Sequence, residues 1–202
     1  MSEHLTDLPL FPLNTVLFPG GFLPLRIFEP RYLEMVSVCL QQQAPFGVVL
    51  IKDGKEVGVS AEPYAIGTLA AIVDFDKSKD GLLMIACIGG ERFRILEKRI
   101  EPNRLLRATV ELLPAGEDRV LPPEYQSLAG FLRAVVNKPG LSRRIAPPDI
   151  DYTSPREVGY RLAELLPVPL PDQQRLLEID DPLDRLAEIS GLIKGMEFTL
   201  EA

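Results

Sequence analysis

Between Leu8 and Val36 the chain reads LPLFPLNTVLFPGGFLPLRIFEPRYLEMV, an apolar run in which Pro9, Pro12, Pro19 and Pro24 fall among strand-forming residues. Each proline removes a ladder donor, so such segments are confined to sheet edges, strand starts or bulges. The expectation is short, strongly bent strands wrapped around a small barrel rather than a flat sheet. Pro19, Gly20 and Gly21 supply a turn. Leu23, Leu25 and Ile27 then alternate with Pro24 and Arg26. At Glu29-Pro30 the period changes: proline suits the first helical position, and Tyr32, Leu33, Val36, Cys39 and Leu40 follow at helical spacing.

Ala44-Pro45 breaks that helix, and Phe46 to Ile51 reads as a buried strand closed by Asp53-Gly54. Tyr64 to Asp76 is a long β segment. The polar stretch from Lys77 to Gly81 makes Asp74 to Gly89 a hairpin. Beyond it, Phe93 and Ile95 point one way while Arg92 and Arg94 point the other. Leu106, Ala108, Val110 and Leu112 alternate with Arg107, Thr109 and Glu111 as a half-buried strand does.

Pro114 to Pro123 is rich in proline, charge and glycine, and everything after it has helical period. This places a boundary between a β-rich subdomain, residues 1–117, and a helical subdomain, residues 118–202. Tyr125, Leu128, Leu132, Val135 and Val136 form one amphipathic face, ended by Pro139-Gly140. Ser154-Pro155-Arg156-Glu157 is a helix start: a serine cap, proline at the first position, and a glutamate placed to reach back to the cap's amide. Val158, Leu162, Leu165 and Leu166 give that helix its buried stripe. Pro167, Pro169 and Pro171 predict an extended connection to a short helix around Leu176 and Leu177. Asp181-Pro182 caps the last helix.

Four linked pieces of the opening run, Leu8 to Leu13, Leu17-Phe18-Pro19-Gly20, Leu23-Pro24-Leu25 and Phe28-Glu29-Pro30-Arg31-Tyr32, resemble in order the start of the amino-terminal substrate-binding domain of Lon proteases. Ile66 to Ile72 and Gly89 to Ile95 resemble two of its later strands. Leu170 to Gln174, Leu176-Leu177-Glu178 and Asp181 to Leu186 resemble its helical half. The likeness is to stand-alone members that carry this domain without the ATPase and peptidase. It implies an α+β chain, a PUA-like half-barrel with one helix followed by a C-terminal α-helical bundle. It also implies a non-catalytic module whose partner is an unfolded or extended polypeptide, or another protein, in proteolysis-related quality control. Because PUA-like folds also occur in RNA-binding proteins, an RNA or small-ligand binder is the alternative.

The charge balance weighs against nucleic acid. Lys and Arg number 22 against 29 Asp and Glu, a net charge of -7, whereas phosphate binding requires clustered cations. Ser142-Arg143-Arg144 is the nearest basic patch and reads as a solvated turn. With no run of about 20 apolar residues there is no membrane span, and MSEHLTDLPL lacks the basic-then-apolar pattern of a secretory signal, so a cytoplasmic location is expected.

Catalytic sets are not assembled. Gly54-Lys55 is followed by Glu56, without the glycine spacing of a phosphate loop. His4 is the one histidine, in a segment expected to be loose. Cys39 and Cys87 read as small buried hydrophobes. Asp74 to Gly81 has acids at alternate positions, but Lys79 and Ile85 stand where a calcium loop requires glycine and glutamate. No cofactor and no metal are expected. Arg26, Arg31, Arg92 and Arg94 would make an anion site if they converged, and otherwise line polar strand faces beside acids. Phe18, Phe22 and Phe75, at turns or strand ends, are the candidate polypeptide-binding residues, and Phe11 and Phe28 raise the same question.

Overall fold

The computed structural model describes residues 3–54, 62–116, 119–137 and 150–200. It divides into two compact units, Met1–Pro114 and Ala115–Ala202. The first unit is built from β1 (His4–Leu13), β2 (Phe22–Ile27), α1 (Pro30–Gln42), β3 (Phe46–Asp53), β4 (Glu62–Pro63), β5 (Ile66–Lys77), β6 (Leu83–Ile100) and β7 (Leu106–Leu113). These strands form one mostly antiparallel sheet in the order β1-β7-β6-β5-β3-β4, with β2 added on β6. A parallel pairing of β1 with β3 joins the path back to its start.

Prolines mark where β1 changes partner. It runs antiparallel to β7 from His4 to Leu10, then parallel to β3 from Leu10 to Leu13, so Pro9 and Pro12 flank the exchange. Pro24 is accommodated by parity. Gly89 N–H donates to the Gly21 carbonyl at 2.9 Å, so alternation along β2 turns the backbone groups of Phe22, Pro24 and Arg26 toward its unpaired edge. The missing donor of Pro24 therefore costs no ladder bond.

The strands are bent but not short. β6 is 18 residues long and β5 is 12. Their length is made compatible with curvature by register shifts between Thr68 and Ala70, between Ile72 and Asp74, and between Ile95 and Glu97. His4 is not in a loose tail either: it pairs with Glu111 across β1 and β7, and the Leu112 amide donates to the Glu3 carbonyl at 2.8 Å.

Alternation along the strands separates two apolar clusters. Leu8, Leu10, Val49, Leu69, Phe93, Ala108 and Val110 form one. Phe93 occupies space that two glycines leave: a Cβ on Gly47 or Gly67 would stand 2.7 or 2.8 Å from its ring. Phe11, Leu13, Phe46, Val48, Ile85 and Cys87, from the opposite strand faces, form the second cluster with Tyr32, Met35, Val36 and Cys39 of α1. Phe11 stacks on Tyr32 with ring centroids 3.9 Å apart.

The second unit holds a 3-10 turn at Pro123–Tyr125, α2 (Gln126–Val136), α3 (Pro155–Leu165), α4 (Leu170–Glu178) and α5 (Pro182–Leu200). Ser154 caps α3, its hydroxyl accepting from the Glu157 amide at 3.3 Å. The Ser154 amide donates to the Asp151 carbonyl at 3.2 Å. Pro171 lies within the first turn of α4 rather than in an extended connection, because an early helical position needs no donor. Asp181 caps α5 by accepting from the Leu183 amide at 2.7 Å. The predicted stop at Pro139-Gly140, the Ser142-Arg143-Arg144 patch and Lys55 lie outside the described residues.

Candidate functional site

Of the three phenylalanines singled out, Phe18 is fully buried. The turn that carries it is pressed onto β6 and β5. The Gly20 amide donates to the Gly89 carbonyl at 2.7 Å, and the Thr68 hydroxyl donates to the Leu17 carbonyl at 2.6 Å. A Cβ on Gly89 would collide with the Phe18 carbonyl oxygen. Phe18 is therefore a core residue holding the turn in place, and it leaves the contact set.

Phe22 and Phe75 lie on a three-stranded ribbon made by β2, the first part of β6 and the end of β5. Phe22 stands opposite Ile88, and Phe75 opposite Ile85. Three residues separate these partners on an unbroken stretch of β6, so the two rings fall on opposite faces. Phe75 shares its face with Leu25 and Ile85 and is 60% exposed. Phe22 is half-buried on the other face, beside Met84, Ala86 and Ile88. Phe28 is also exposed, whereas Phe11 is buried. The two rings thus stand on separate faces of the ribbon, and the Phe75 face turns into the core at Ile85.

The end of β5 carries a feature that the acid spacing signalled without explaining. Phe75 and Lys77 amides donate to the carboxylates of the residues before them, Asp74 at 2.9 Å and Asp76 at 2.7 Å. The acids that fail as a calcium loop instead cap the backbone of an outer strand.

A second concavity, a cleft of about 500 Å³, runs beside α1 and is lined by Asp7, Glu34, Met35, Val38, Arg99 and Arg107 among others. Asp7 occupies a left-handed conformation, φ 63°, at the register shift of β1 between Leu5 and Leu8. Its carboxylate receives Arg99 and, at 3.0 Å, Arg107. Glu101 pairs with Arg99 at 3.0 Å, and the Asn103 amide donates to Glu34 at 3.1 Å. Nothing in the local sequence marks Asp7, because its conformation is imposed by the pairing of β1 with β7.

Three of the four arginines considered as an anion site go to separate partners. Arg26 pairs with Asp80, Arg31 with Glu29, and Arg94 with Glu111. Arg92 is buried at 2% exposure rather than lining a polar face. Both thiols are buried. Desolvation raises the Cys39 pKa and pushes Cys87 up to about 12, which keeps both protonated and poorly nucleophilic. Among the described residues no group of three His, Cys, Asp or Glu side chains is placed to hold a metal ion, and no helix is long and apolar enough to cross a membrane.

Comparison with known proteins gives this geometry a family. Residues 7–195 match the family described as ATP-dependent protease La (LON) substrate-binding domain. The chain belongs to that family. A solved Lon N-terminal domain protein from Xanthomonas campestris is similar over 93% of this chain and 98% of its own, with 37% identity and a TM-score of 0.78. The N-terminal domain of Mycobacterium avium complex Lon protease shares the fold at 17% identity and a TM-score of 0.62, over 91% of this chain and 95% of its own. The Lon protease of Paraburkholderia phytofirmans is 30% identical over 204 residues, which is 96% of this chain and 25% of that protein. The chain thus spans about a quarter of the length of the curated Lon proteases it matches. The matched family is the substrate-binding domain; the ATPase and peptidase domains are not part of the match.

Proposed function

We propose that this chain is a non-catalytic polypeptide-recognition module that passes unfolded or extended segments to a separate protease. The observation that carries the reading is the match to a Lon substrate-binding domain over residues 7–195. The two ribbon faces support it by offering aromatic rings beside which extended chain can lie, with Phe75 on one and Phe22 on the other. Raised thiol pKa values argue against cysteine chemistry. The closed path of strands and the helices after it support reading the two units as a PUA-like half-barrel followed by a helical bundle.

The test is fluorescence anisotropy of a labelled, permanently unfolded polypeptide titrated with the full chain. Saturable binding at micromolar protein is expected, weakened severalfold by Phe75→Ala, since removal of one exposed aromatic anchor costs about 1 kcal/mol. Absence of saturable binding would overturn the reading.

A further inference from the structure

The unpaired edge at the end of β5 selects the kind of segment this protein takes. β3 pairs with β5 only as far as Ala70, while β6 pairs with it on the other side as far as Lys77. Among the described residues, 73–77 therefore form a free strand edge of about 17 Å. Its parity is established twice. Gly89 donates to Gly21, so alternation directs the backbone groups of Ile85 and Leu83 toward β2 and those of Met84 and Ala86 toward β5. Asp74 and Asp76, opposite Ala86 and Met84, thus bond inward, leaving Phe75 and Lys77 amides on the open side. Those are the two amides that the Asp74 and Asp76 carboxylates occupy.

Resting on the polypeptide-recognition reading, we propose that this edge adds an extended client strand in which basic and apolar residues alternate. Strand addition supplies main-chain bonds, and the alternating side chains supply selection. On one face, Phe75 at 60% exposure offers an apolar cross-strand neighbour, with Val73 exposed beside it at the register shift. On the other face stand Asp74 and Asp76. A lysine or arginine of the client beside each draws its carboxylate off the amide, and a client carbonyl takes that amide in its place. The amide keeps a hydrogen bond, and the carboxylate gains an opposite charge. A client with acids at these positions leaves the caps shut. A second copy of this chain would bring the same acids to the same edge, and the net charge of -7 opposes it further.

The experiment compares four labelled heptapeptides against the full chain by anisotropy: alternating lysine and valine, alternating glutamate and valine, a scramble of the first with its valines in one block, and the first N-methylated at alternate residues. The lysine and valine alternation is expected to bind roughly tenfold tighter than the others. Asp74→Asn/Asp76→Asn, which keeps an oxygen for each amide but removes the charge, should abolish that preference without changing the far-UV circular dichroism. Equal binding of the scramble or the N-methylated peptide would reduce the effect to bulk charge and overturn the proposal. So would retention of the preference in the double variant, or dimerisation of that variant through this edge. Binding of unfolded polypeptide without any preference among the heptapeptides would sink this inference alone, whereas loss of both would sink the recognition reading with it.

Discussion

Both units bury arginine, Arg31 and Arg92 in the strand unit and Arg161 and Arg185 in the helical one, but the helical unit sets one of its buried guanidiniums against the end of a helix. In the strand unit most ion pairs are exposed: Arg26 with Asp80, Lys98 with Glu62, Arg99 with Asp7 and Arg94 with Glu111 lie on its surface, while its two clusters are apolar. In the helical unit Arg175 pairs with Asp172 and Glu188 at the surface, while two arginines lie fully inside. Arg185 is fully buried, donates to the Leu176 carbonyl at 2.9 Å and to the Ile179 carbonyl, and lies 4.2 Å from the Tyr160 ring centroid. Arg161, also fully buried, donates to Glu164 at 2.7 Å. Paired strands satisfy one another's backbone, but short helices expose carbonyls at their ends, and α4 of nine residues has its last carbonyls met by a guanidinium from α5. Buried Arg185 is how this small helical unit meets the carbonyls at the end of α4.

That contrast predicts a hierarchy of losses. Arg185→Met should be the most damaging, lowering stability by roughly 3–5 kcal/mol, because it strands the buried Leu176 carbonyl and the part-buried Ile179 carbonyl and removes the packing on Tyr160; a denaturation midpoint close to wild type would show that α4 does not depend on it. In the strand unit the comparable injury is steric. Gly89→Ala should cost about 3 kcal/mol by forcing the Phe18 turn off β6, and it should do so with the helical unit's unfolding transition unchanged.

Glu164 gives the contrast a pH signature. Burial, opposed by Arg161, pushes its carboxyl up from 4.5 to about 7. The folded state then holds a proton that the unfolded chain has released, so stability is retained below about 4.5 and falls as pH rises toward 7. Glu164→Gln should remove a pH-dependent loss on the order of 1–3 kcal/mol between those limits, read as a flattening of thermal midpoint against pH. Ser154→Ala should cost about 1 kcal/mol through loss of the α3 cap. The smallest effect belongs to the strand unit's surface: Arg94→Gln should move the midpoint by a few tenths of a kcal/mol, and a larger loss would break the distinction between the two units.

Local chemistry made much of this legible. Pro30 opening α1, the alternation of β7, Ser154 capping α3 and the hairpin around Lys77 to Gly81 each depend on neighbours in sequence, and each was readable there. The parallel pairing of β1 with β3, the left-handed Asp7 and the burial of Phe18 and Arg92 depend on strands brought together from far along the chain. The acids at 74 and 76 fall between: their spacing was visible, but their role required knowing that no strand among the described residues pairs outside them.

The same long-range pairing bears on how the protein is made. β1 cannot meet β7 until residues 106 to 111 have been synthesised, because Leu10 pairs with Leu106 and His4 with Glu111. At about 5–20 residues per second, Leu8 waits several seconds for Ala108, and Leu23 to Leu25 for Ile85 to Cys87. Unpaired apolar strands are prone to stick to one another during such an interval. The prolines at 9, 12, 19 and 24 interrupt every stretch long enough to do so, which makes them guardians of the nascent chain as well as corners of the finished one.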